Sequence, residues 1–159
     1  MTEEEGGLPG PAIIVHWLEH AEAALQAAAA LGRPVVLLSA PGAAFTIGPL
    51  YFREMVALAR RRVPDAAGLA LFDCGRAAGR VQEALHCGLE AVVYGGPPEQ
   101  GDRLAAIAAA RGARLFRERP PALDLLDLDR PGEAVAAWLA DGPSGDGPSG
   151  DGPSGAARR

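Results

Sequence analysis

The chain has 159 residues, a formal charge of -5, 48% hydrophobic residues and 5% aromatic ones, the profile of one globular domain with an aliphatic, alanine-rich core. All 15 basic residues are arginine, which excludes lysine Schiff-base chemistry, a lysine-anchored pyridoxal cofactor and a P-loop lysine. The acidic balance argues against nucleic acid, no apolar run reaches membrane-spanning length, and the start Met-Thr-Glu-Glu-Glu has neither the basic nor the apolar region of a signal peptide. A cytoplasmic protein with no membrane partner is the expectation.

Residues 1–11, rich in Glu, Gly and Pro, read as a mobile lead-in. Ala12-Ile-Ile-Val15 is the first predicted strand. Leu18, Ala21, Leu25 and Ala28 then fall on one helical face, with Gly32 as the stop. Val35-Val-Leu-Leu38 suits a strand buried on both faces. Ser39 to Gly48 is the longest loop of the body, and long loops in compact domains often carry function. A helix follows from Pro49 with Phe52, Met55, Val56 and Ala59 inward. Next come a strand over Leu69–Phe72 and a helix from about Ala77 with Val81, Ala84 and Leu85 inward.

Ala91-Val-Val-Tyr94 is the fourth strand and Gly95-Gly-Pro-Pro98 its turn. Leu104, Ile107 and Ala108 mark the inner face of the next helix, and Arg114-Leu-Phe116 is a weaker fifth strand. Beyond Pro120-Pro121 the pattern loosens. Asp129 can cap a last helix carrying Val135, Trp138 and Leu139. From Asp141 the chain repeats Asp-Gly-Pro-Ser-Gly, a tract with nothing to bury that is expected to be disordered. A single domain over residues 12–140 is thus expected. Its class is α/β: a parallel sheet of four to five strands alternating with helices, either half of a TIM-type barrel or an open doubly wound sheet.

If the strands are parallel, His16, Ser39, Asp73, Cys74 and Tyr94 gather at their carboxyl ends, where such sheets place their sites. Cys87 ends a helix and belongs to the opposite edge, so a disulfide to Cys74 is not expected. His16 and His20, four apart, form at most half of a zinc site. An acid such as Asp73 at a strand end more commonly serves a turn or a helix cap than catalysis.

Several of these segments resemble one family. Leu-Leu-Ser39-Ala-Pro-Gly-Ala-Ala-Phe45-Thr-Ile-Gly48, Phe-Asp73-Cys-Gly75, Cys87-Gly88 and Ala-Val-Val-Tyr-Gly95-Gly follow the order and spacing found in the first half of class II, zinc-dependent fructose-bisphosphate aldolases and their tagatose-bisphosphate relatives. The resemblance spans residues 13 to 116. It implies that Asp73 is the catalytic acid/base of carbon–carbon cleavage and that Ser39 contacts substrate; Gly42, Gly48, Tyr94 and Gly95 are further substrate-binding candidates at the same strand ends and loops. It also implies a zinc ligand at position 74. That ligand is a histidine in the family and Cys74 here, with His16 as a second candidate. The later half of the family barrel, with its remaining zinc ligands and phosphate loops, has no counterpart in this sequence.

An aldolase of this kind needs a Lewis-acid metal, a proton shuttle and a phosphate anchor, and only the shuttle is recognisable. The sequence therefore reads first as a non-catalytic aldolase-like half-barrel that binds a small polar or phosphorylated molecule or self-associates, two copies completing a barrel-like core. A metal-assisted lyase or isomerase using Asp73 is the enzymatic alternative. A flavodoxin-like protein-interaction module is the third reading, although His16-Trp17 stands where a flavin site would favour hydroxyls, and a receiver domain is disfavoured by the missing lysine.

Overall fold

The computed structural model describes residues 7–142, so the readings made for residues 1–6 and for the repeat from residue 143 onward fall outside the described residues. Six strands form one sheet: β1 (Ala12–Ile14), β2 (Val35–Leu38), β3 (Gly68–Asp73), β4 (Ala91–Val93), β5 (Arg114–Phe116) and β6 (Ala122–Asp124). Their order is β5-β4-β3-β2-β1-β6, and every pairing is parallel. The helices are α1 (Leu18–Leu31), α2 (Ala43–Thr46), α3 (Pro49–Arg62), α4 (Ala78–His86), α5 (Pro98–Ala110) and α6 (Pro131–Asp141).

Period-two alternation divides the strand residues between two faces. Ile13, Leu37, Phe72 and Val92 join Leu25, Phe52, Leu104 and Leu139 from the helices in the main core. Ala12, Val36, Leu38, Leu71, Ala91 and Val93 form a second, smaller cluster on the other face, closed by Leu8 and Phe116 and containing no helix residue. The helices therefore cover one side of the sheet, as in a barrel, whereas a doubly wound sheet carries them on both.

The connection from β5 to β6 shows that the sheet is curled. In a flat sheet these two outer strands would stand about 24 Å apart, five strand spacings. The register adds height, because Phe116 lies level with Asp73 whereas Ala122 lies level with Leu69, four residues lower. From Phe116 to Ala122 the chain can reach only ~22 Å at full extension. The sheet stays open, β5 and β6 being its edges, but it bends until those edges approach each other.

β6 adds a strand to the four or five expected, and it exists because β1 offers a free edge to Ala122-Leu-Asp124. The loop expected at Ser39–Gly48 contains the single-turn helix α2 between Gly42 and Gly48, both at positive φ (71° and 76°) where a side chain would be strained. The last helix is not capped by Asp129. Its N-cap residue is Arg130, which makes no side-chain cap.

Candidate functional site

Asp73 ends β3 on the small-cluster face, and its neighbours hold it through three contacts. Its backbone N–H donates to Ser39 Oγ at 2.8 Å, and its Oδ1 accepts the Gly75 N–H at 2.7 Å. Its Oδ2 accepts Arg119 Nη1 at 2.5 Å, and the same nitrogen reaches the Ser39 carbonyl at 3.1 Å. Ser39 is fully buried and Asp73 is 4% exposed. The Ser39 hydroxyl continues the β2–β3 ladder at the point where its own carbonyl has turned to the guanidinium. Arg119 Nη2 is buried without a hydrogen-bond partner among the described residues.

His16 follows β1 on the same face. Its Nε2 lies 2.6 Å from Asp124 Oδ1 at the end of β6, and that oxygen also accepts the Leu126 N–H at 2.9 Å. His20 Nδ1 accepts the backbone N–H of His16 at 3.3 Å, and its ring stacks on Trp17 with centroids 4.1 Å apart. Burial, reinforced by the neighbouring His16, lowers the His20 pKa below the ordinary imidazole value. For Asp124 burial pushes upward, but the Leu126 N–H and the His16 ring outweigh it and hold the carboxyl below its usual value. Counting on from the paired register puts His16 level with Asp73 two strands away, roughly 10 Å apart.

The expected cluster is thus only partly assembled. Ser39 and Asp73 meet. Cys74 and Tyr94, each two residues beyond a helix-facing strand residue, point to the helix side and lie fully buried in the main core. Tyr94 donates its hydroxyl to Gln100 Oε1 at 2.7 Å. Gly95 donates its N–H to the Gly75 carbonyl at 2.8 Å, and Gly96 leaves space that Tyr94 fills, since an added Cβ would sit 2.1 Å from the Tyr94 hydroxyl. The Gly48 N–H closes α2 on the Ala43 carbonyl. These glycines shape turns, and the interactions of the Gly95 and Gly48 N–H groups are internal.

The zinc site suggested by the resemblance does not fit these residues. His16 and Cys74 stand on opposite faces, and burial, with Asp73 and Glu83 adding repulsion, raises the Cys74 thiol to about 12, away from the thiolate a metal needs. No group of three or more His, Cys, Asp or Glu side chains among the described residues is placed to hold a metal ion. A groove of about 560 Å³ opens away from this site, along β5 and α5, where Ala105, Ala109 and Leu115 meet Arg114 and Arg117.

The sequence reading missed Arg119 and Asp124. Both follow the fifth strand, where the pattern dissolves, and the available signal was the charged run Arg117-Glu-Arg119 at a strand's carboxyl end.

The fold resembles the crystal structure of a "putative fructose-1,6-biphosphate aldolase" from Coccidioides immitis, with a TM-score of 0.53 and 25% identity. Its fold is aldolase-like. The match covers 68% of this chain and 40% of the aldolase, so this chain corresponds to well under two thirds of that protein. No family model matches the aldolase-like chain, and no curated protein matches it either. No described helix is long and apolar enough to cross a membrane.

Proposed function

We propose that this chain is an aldolase-like domain that has lost aldol cleavage and whose carboxyl rim serves small-ligand binding or self-association rather than turnover. The observation that carries this reading is the state of Asp73. A proton shuttle needs an oxygen free to meet the substrate, but Oδ1 is held by Gly75 and Oδ2 by Arg119, and the residue is almost fully buried. The guanidinium on Oδ2 comes from Arg119 in the connection between β5 and β6. The position next to Asp73, which the resemblance makes a zinc ligand, is turned into the helix-side core.

The test is a cleavage assay on fructose 1,6-bisphosphate and tagatose 1,6-bisphosphate with Zn²⁺ supplied. The expected result is no cleavage above the protein-free rate. Turnover that disappears in Asp73→Asn would overturn the reading and favour the metal-assisted lyase.

A further inference from the structure

The apolar exposure of this molecule is unevenly distributed. Nine large apolar side chains are exposed among the described residues, and all but Leu31 and Ile107 lie at the carboxyl end of the sheet, in a strand-to-helix connection or the first helical turn after it. Their sequence around the rim is fixed by strand order. Leu126 and Leu128 follow β6, Trp17 follows β1, and Phe45 and Ile47 follow β2, with Leu50 and Tyr51 on the first turn of α3. Because β6, β1 and β2 are neighbours, these side chains form one arc. Isolated exposed apolar residues need no explanation, but a contiguous patch marks a surface that something covers.

The ends of the arc carry opposite charges. Asp127 and Asp129 stand beside the leucines, exposed and without an ion-pair partner among the described residues. At the other end, beyond β3, Arg76 is likewise exposed and unpaired, and Arg80 lies over the Phe45 ring at 5.3 Å while reaching Glu83. The order along the arc is therefore acid, leucine pair, Trp17, aromatic and aliphatic pair, arginine. A two-fold axis near Trp17 maps each end of this series onto its complement in a second copy, as an isologous interface requires.

We propose that the carboxyl rim is the dimerisation face of this protein and that its occupant is a second copy of the same chain. Trp17 lies at the axis against the partner's Trp17. Leu126 and Leu128 cover the partner's Phe45 and Ile47, and Asp129 faces the partner's Arg76. The two sheets do not merge, because the five residues joining β5 to β6 leave no room between those edges for a second copy's strands. The proposal rests on the reading that the rim carries no turnover. The two are tested separately, since sedimentation reports association whatever the activity and the cleavage assay reports chemistry whatever the assembly.

The experiment is sedimentation velocity of the full chain across a micromolar dilution series. A dimer is expected. Trp17→Glu places two like charges on the axis and gives a monomer. Arg76→Glu and Asp129→Arg each weaken the dimer by about tenfold, and the two together restore most of that loss. Far-UV circular dichroism checks each variant. If Trp17→Glu does not fold, the charge reversals on the two exposed side chains decide. A monomer throughout the series, a dimer unaffected by a folded Trp17→Glu, or a double reversal no tighter than the single ones overturns the proposal.

Discussion

The middle and the edges of this sheet are held by different forces. In β2 every residue is buried, and Val35, Leu37, Ala70 and Phe72 fill the space beneath the helices with no polar group among them. β5 and β6 are only half-buried, and polar contacts secure them: Arg114 over the Phe116 ring, Arg119 on Asp73, and His16 on Asp124. The middle depends on volume and the edges on charge. Lost volume should therefore disrupt the first, whereas lost charge or a change of pH should disrupt the second.

The largest expected effect lies in the middle. Phe72 is fully buried with its ring 5.4 Å from that of Phe52, so Phe72→Ala should cost about 4 kcal/mol, read as a lower urea midpoint. Next is Arg119→Ala, which strands the Asp73 carboxylate in a buried position and should cost about 3 kcal/mol. In the Asp73→Asn background the same substitution should cost much less, because the charge that needed it is gone. Equal costs in both backgrounds would mean that Arg119 acts through packing alone. Ser39→Ala removes the acceptor of the buried Asp73 N–H and should cost about 2 kcal/mol, largely recovered by Ser39→Thr.

The same division explains what could be read from the sequence. β1 to β4 were visible because strands buried on both faces appear as continuous aliphatic runs between glycines and prolines. β6 was not, since Ala-Leu-Asp carries no strand signal of its own and pairs only because β1 has a free edge. Leu104 and Ala108 face inward as expected, but Ile107, expected beside them, is 39% exposed, and Gly101 completes the buried face. In the site, parallel alternation correctly brought Ser39 to Asp73. Cys74 and Tyr94 required one further step, because successive residues of a strand point to opposite faces and being last in a strand does not place a side chain on the rim.

A smaller effect is expected at the edge formed by β6. The His20 pKa is lowered by burial and by His16, so the folded protein binds that proton less tightly than the unfolded chain. Stability should fall as the pH drops through the unfolded value of 6.5. Asp124, also lowered, adds a further loss on acidification below its ordinary 3.8. The unfolding free energy should drop between pH 7.5 and 5.5, and His20→Gln should flatten that step. His16→Ala should speed amide exchange in residues 122–125 and leave β3 unchanged. Equal acceleration in both strands would mean that the edge and the middle are not separable.

Cys74 gives the mildest test because it needs no substitution. It sits next to the edge-type ion pair of Asp73 but points into the core, and its thiol is raised to about 12 by burial first and by Asp73 and Glu83 after that. The folded state holds this proton more tightly than the unfolded chain, so the associated stability is complete below the ordinary value of 9.0 and is lost as pH rises from there toward about 12. At pH 8 iodoacetamide should modify the half-exposed Cys87 and leave Cys74 untouched until the protein unfolds. Labelling of both cysteines at similar rates in the native protein would mean that the end of β3 opens readily. In that case Cys74 could turn toward the rim, and the argument against it as a metal ligand would fail.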